Sequence, residues 1–237
     1  MRILRTAALA STVAAGLLLA ACATPPSGTP LPITPDPTDE TSVATEVHAA
    51  WLDDGRVIGL VTYGSSTCLP TVGSVEGEGQ RVTVEIDESE EARPCTMDYA
   101  PQATLIGVPE GVDAAEAVEI VLTGALSGAT SLDGDADLTG TGEEFVPSAG
   151  WFSDDGFAVV TWGSSTCAPL VESVEATGDD AITLTFAEFE GNQACTSDLA
   201  PRIAIAEVPE GFGDEDDVTL TLTGAGVSGT VEILGDR

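Results

Sequence analysis

The 237-residue chain contains no lysine and a single histidine, and each scarcity removes a class of function. Its seven basic residues are all arginines, set against 40 aspartates and glutamates, for a net charge of −33. A field of that sign repels nucleic-acid phosphates and anionic lipid headgroups, so neither is an expected partner. With His48 as the only histidine, a Ser-His-Asp or Cys-His centre has one candidate base. The chain has no Gly-x-Ser-x-Gly elbow and no C-x-x-C pair, which argues against the nucleophile and zinc arrangements that use them. Beyond the N-terminal leader no segment shows a 3.6-residue apolar period, so helices are not expected.

The leader is itself informative. Arg2 and Arg5 precede the apolar stretch Ala7 to Ala21, which at 15 residues is shorter than a bilayer span of about 20. It ends in Leu19-Ala20-Ala21-Cys22. The segment resembles a bacterial lipoprotein signal with its lipobox. That resemblance implies cleavage before Cys22, a diacylglycerol on its sulfur and a lipid-anchored, extracytoplasmic address. Removing the leader leaves five arginines against the same 40 acids, a charge near −35. Residues 23–45 are rich in Pro and Thr, with Pro25, Pro26, Pro30, Pro32, Pro35 and Pro37. Such composition predicts a disordered, extended tether reaching roughly 60 Å from the bilayer.

From residue 46 onward the chain repeats itself at an offset of 99 to 101 residues. Trp51 answers to Trp151, and Asp53-Asp54-Gly55 to Asp154-Asp155-Gly156. Val61 to Cys68, reading V-T-Y-G-S-S-T-C, answers to Val160 to Cys167, reading V-T-W-G-S-S-T-C. C-T-M-D-Y-A-P from Cys95 answers to C-T-S-D-L-A-P from Cys195, and Val108-Pro109-Glu110-Gly111 to Val208-Pro209-Glu210-Gly211. Two domain-sized copies follow, over 46–140 and 141–237. Four cysteines allow three pairings. Because each copy must have folded before it had a twin, the duplication selects Cys68–Cys95 and Cys167–Cys195. Closing each loop should stabilise a copy by roughly 3–4 kcal/mol on the chain-entropy model, and disulfides again require export.

Period-two alternation dominates both copies: Val82, Val84, Ile86 and Ile182, Leu184, Phe186, then Val118, Ile120, Leu122 and Val218, Leu220, Leu222. Val57 to Tyr63 and Phe157 to Trp162 are apolar on both faces, as central strands are. Each follows a Trp strand across an Asp-Asp-Gly turn, a hairpin signal. Val-Pro-Glu-Gly suits a type I turn with Pro second and Gly fourth. The expected fold is all-β, two tandem antiparallel sandwich-like domains of six or seven strands, each with one disulfide.

Candidate chemistry is thin. Ser65, Ser66, Ser164 and Ser165 read as turn residues ahead of the disulfides, and Asp98 and Asp198 as Asx-turn caps beside them. Asp133 to Glu144 resembles an EF-hand loop, with acids at its first, third, fifth and twelfth positions, but Leu138 replaces the glycine that the sharp turn requires. Asp87 to Glu91 and Asp214 to Asp217 read as solvated charge runs. Trp51, Tyr63, Trp151 and Trp162 would anchor a partner where exposed, though core is the commoner fate. The acidity itself reads as solubility or as complementarity to a cationic partner: a basic protein, a polyamine or a divalent ion. The paired motifs G-S-S-T-C-x-P and C-T-x-D-x-A-P resemble modules in secreted proteins and lipoproteins of high-GC actinobacteria, which carry no activity to transfer. These readings converge on a cofactor-free, non-catalytic envelope lipoprotein that binds an extracellular or envelope ligand. A calcium-dependent module is the alternative, and a secreted hydrolase a remote one.

Overall fold

The computed structural model describes residues 42–87, 94–191, 193–213 and 217–237. The leader, Cys22 and the tether up to residue 41 lie outside the described residues, as do most of the Asp87–Glu91 run and residues 214–216. Residues 40–237 form one compact unit.

The first copy contributes β1 (Val43–Ala44), β2 (Val47–Leu52), β3 (Val57–Gly64), β4 (Thr71–Glu78), β5 (Arg81–Asp87), β6 (Ala100–Gly107), β7 (Val118–Gly124) and β8 (Leu126–Leu132). The second contributes β9 (Ser148–Trp151), β10 (Gly156–Gly163), β11 (Val171–Ala176), β12 (Ala181–Phe186), β13 (Ala200–Glu207), β14 (Thr219–Thr223) and β15 (Gly229–Leu234). Among the described residues the only helical element is the 3-10 turn Asp53–Gly55. The all-β expectation holds, and both disulfides form as the duplication predicts, with Cα atoms 5.6 Å apart in each.

The expectation of two separate antiparallel sandwiches does not hold. The strands form sheets in the orders β1-β8-β7-β5-β4, β2-β3-β6 and β11-β12-β14-β15-β9-β10-β13, stacked in a solenoid-like series. Four pairings are parallel: β1 with β8, β5 with β7, β12 with β14, and β15 with β9. The cause lies in the connections. After β5 the chain leaves its sheet, forms the disulfide loop and β6 on another, and returns as β7 in its original direction. In the second copy the chain likewise runs out between β12 and β14, here to β13 at the far edge of the seven-stranded sheet. The tether expectation also needs trimming at its end, because Val43–Ala44 already pairs with Leu126 and Ser127.

Each copy holds its own core. In the first, Trp51, Ile58 and Leu60 of the three-stranded sheet meet Val82, Val84, Ile120 and Leu122. In the second, Trp151, Phe157 and Val159 meet Ile182, Leu184, Leu220 and Leu222. The other faces of β2, β3, β10 and β13 are apolar for a different reason. Ala50, Leu52, Ala158 and Val160 form a third buried cluster, joined by Val57, Leu105, Ile203 and Ile205, that packs the copies back to back. Strands β3 and β10 are therefore covered on both faces, which is why their sequences lack alternation.

Small residues set the spacing of this seam. A side chain on Gly59 would press against Leu52, Ile203 and Ala158. A Cβ at Gly150 would collide with the backbone carbonyl of Trp51. Across the seam the Asp53 amide donates to Ser148 Oγ at 2.8 Å, while the equivalent His48 ring lies 6.1 Å from Phe152.

Two local expectations shift. The Asp-Asp-Gly turn of the first copy joins β2 to β3 as expected, with Asp53, Asp54 and Gly55 all at positive φ. The Val-Pro-Glu-Gly turn closes one residue later than a type I turn would. The Val112 amide donates to the Pro109 carbonyl at 3.2 Å, and Gly111 takes φ 91° at the third position. That conformation requires glycine there, as in a type II turn.

Replacing Gly150 with alanine should prise β9 from β2 and destabilise the unit by about 1–3 kcal/mol, a fall in Tm on the order of 5 °C. Gly191→Ala, where a Cβ meets open space, is the control. Equal melting temperatures for the two variants would refute this account of the seam.

Candidate functional site

The motifs shared by both copies build a scaffold. Ser65 Oγ lies 2.8 Å from Thr96 Oγ1, and Ser164 Oγ lies 2.8 Å from Thr196 Oγ1. The Ser66 and Ser165 amides donate to Asp98 and Asp198 at 3.2 Å, and the Thr96 and Thr196 hydroxyls donate to the same carboxylates. From β6, Gln102 donates to the carbonyls of Ser65 and Cys68. From β13, Arg202 donates to those of Cys167 and Trp162. The Gly-Ser-Ser-Thr-Cys turn is therefore held from both sides beside its disulfide. His48 is engaged elsewhere, with Nε2 2.9 Å from Glu46. No hydrogen bond joins it to any of these serines among the described residues.

Asp98 and Asp198 are held at about 2, below the ordinary 3.8, first by the Ser66 and Ser165 hydroxyls and then by those of Thr96 and Thr196. A folded-state pKa lowered in this way contributes stability that is complete above 3.8 and is lost as pH falls through about 2. The double variant Asp98→Asn, Asp198→Asn should melt below the parent at pH 5, with the gap closing steadily toward pH 2. Thermal melts across that range test this. A gap that stays constant with pH would show that the carboxylates do not hold the turns.

The EF-hand-like loop is built into the first copy. The Asp54 carboxylate accepts from Thr139 Oγ1 and the Thr141 amide at 2.7 Å each, and from the Thr139 amide at 3.2 Å. The Thr139 hydroxyl, foremost among these donors, lowers the Asp54 pKa. Leu138 is buried in the core, and the Asp133 carbonyl accepts from Trp51 Nε1 at 2.7 Å. Asp133, Asp135 and Asp137 share an acidic cleft of about 320 Å³ with Asp217, Glu232 and Asp236. No three metal-ligating side chains converge among the described residues.

The aromatic candidates divide. Trp51 and Trp151 are buried, at 1% and 3% exposure, and belong to the two cores. Tyr63 and Trp162, at equivalent ends of β3 and β10, stay partly exposed. Trp162 is covered by the chain's own inter-copy segment: Phe145 packs edge-on at 5.2 Å, and the indole donates to the Val146 carbonyl at 3.2 Å. Tyr63 instead borders an open cleft of about 460 Å³ at the seam, shared with Pro101, Phe152, Ser153, Asp155, Gly156, Ile205, Ala206 and Glu207. Tyr99, 68% exposed, stacks on Tyr63 at 5.4 Å, and His48 meets Tyr63 edge-on at 5.9 Å. Burial, followed by the negative charge of Glu46, raises the Tyr63 pKa above its ordinary 10, with Tyr99 and Glu207 adding to the effect.

Phe152, Asp155, Tyr99 and Glu207 were not singled out from the sequence as site residues. Difference between the copies marks Phe152, which stands where the first copy has Leu52, and Tyr99, which stands where the second has Leu199, whereas Asp155 matches Asp54 and carries no such signal. In comparisons with protein-family models, curated proteins and solved structures, nothing matched this chain.

Proposed function

We propose that the chain is a non-catalytic, extracytoplasmic binding protein, held at the cell membrane through an acylated Cys22, that presents the seam cleft to a ligand outside the membrane. The cleft carries the reading. It is concave, half-apolar and walled by aromatic side chains, within the size range of ligand sites. The two disulfides agree with an oxidising, extracytoplasmic setting. No helix among the described residues is long and apolar enough to cross a membrane, and the lipobox resemblance supplies the attachment. The serines nearest to a catalytic motif are spent on turn closure, which supports binding over hydrolysis.

A photoreactive residue placed at Phe152 in intact cells should yield a defined adduct, whereas one at exposed Glu172 should not. Equal labelling from both positions, or none from either, counts against the cleft. Cys22→Ser should move the protein from the membrane fraction to the soluble one. The calcium alternative rests on the acidic cleft at Asp133 to Asp137, where Leu138 serves the core. Millimolar Ca²⁺ should leave the Tm unchanged relative to chelator, and a rise would restore that alternative.

A further inference from the structure

The seam cleft combines two kinds of wall. On one side Tyr63, backed by the stacked Tyr99, faces the space, and Phe152 faces it from the other copy. Asp155, Glu207 and Ile205 belong to the same lining, and the charge of Glu207 is close enough to act on Tyr63. Among the described residues no arginine lines the cleft. The described arginines are committed elsewhere: Arg56 to Asp53 at 2.6 Å, Arg81 to Glu119 at 2.8 Å, Arg202 to the Cys167 carbonyl at 2.8 Å and Arg237 over the Trp151 ring at 4.8 Å. The negative potential of the cleft therefore has no partner in its own lining. An aromatic face attracts a cation through its quadrupole, and more strongly where water is partly excluded. A neutral apolar ligand would leave both carboxylates without a counter-charge, and an anion would be repelled. A bare divalent ion would waste the aromatic walls and find two carboxylates where hard cations take six or more oxygens.

Resting on the binding reading above, we propose that this cleft receives an alkylammonium head, its charge against Asp155 and Glu207 and its carbon substituents between the Tyr63 and Phe152 rings. The shared chemistry could be offered by a free organic cation or by a basic side chain of a protein.

The test is calorimetric titration of the full chain in non-ionic detergent with choline and with its neutral isostere 3,3-dimethyl-1-butanol. Choline should bind at least about ten-fold more tightly, and its affinity should fall as salt shortens the screening length. Glu207→Gln, at an exposed position, should weaken choline by about five-fold without changing the melt. Phe152→Leu, which installs the residue the first copy carries, should weaken it by a similar factor. Spermidine and a lysine-rich peptide titrated in parallel identify the source by which binds more tightly. Equal affinity for choline and the isostere overturns the cationic assignment while leaving a binding cleft. Absence of heat with choline overturns it too. If the Phe152 crosslink still forms in cells, the binding function survives that loss, and if it does not, both fall together.

Discussion

The back-to-back seam is the constraint on which the rest of the molecule depends. The three-stranded sheet β2-β3-β6 and the β9-β10-β13 end of the seven-stranded sheet can approach closely only because Ala50, Gly59, Gly150 and Ala158 present almost no side chain where they meet. That approach buries the second face of β3 and β10 and joins two small cores into one unit. A core serving fewer than 100 residues is marginal on its own, so sharing a third apolar cluster adds stability that neither copy supplies alone. The seam also forms the cleft on which the proposed binding function rests. The cleft exists because Phe152 of one copy and Tyr63 of the other are brought to the same edge.

Duplication sorts the residues by role. What both copies keep is scaffold: the Gly-Ser-Ser-Thr-Cys turn, the Asp98 and Asp198 caps, the disulfides, and the β6 and β13 side chains that hold the turn carbonyls. Even here the chemistry is conserved more closely than the residue, because Gln102 and Arg202 donate to equivalent carbonyls with different groups. What the copies do not share shapes the surface. Trp51 donates to the Asp133 carbonyl, whereas Trp151 Nε1 has no hydrogen-bond partner among the described residues and its ring lies beneath the Arg237 guanidinium. Tyr99 and Phe152 have aliphatic counterparts in the opposite copy. An internal dimer with one edge filled by its own connecting segment and the other left open is the outcome.

Much of the fold was legible because its signals are local. Alternation placed Val82, Val84 and Ile86, and their counterparts, on core faces, and all are buried. The pairing of cysteines followed from the repeat alone. Strand direction was not legible, since a period of two looks the same whether the neighbour runs parallel or antiparallel. It is set by where the chain returns, and β5 meets β7 only after an excursion through another sheet. Apolarity on both faces of Val57 to Tyr63 marked a central strand correctly, but it could equally describe burial under a second layer. Tyr63 was named as an anchor, and the rest of its site was not, because Phe152, Asp155 and Glu207 come from a copy about 100 residues away. Their convergence is a property of the seam, which no spacing encodes.

The charge composition takes on a sharper meaning once the arginines are located. In a chain with no lysine and 40 acids, a basic side chain is scarce, and the described ones are spent on structure. Arg56 steadies the left-handed Asp53-Asp54-Gly55 turn, Arg202 holds a disulfide turn, and Arg237 covers Trp151. Neutralisation of the exposed carboxylates is thereby left to the solvent and to ligands. Over most of an exposed surface that amounts to screening by salt, which favours solubility and little else. Where carboxylates flank aromatic faces in a concave space, the same excess becomes selective, because bulk counter-ions cannot replace the contact a carbon-bearing cation makes with a ring. Composition thus fixes the sign of the potential everywhere, and the seam alone determines where that sign can be read by a particular partner.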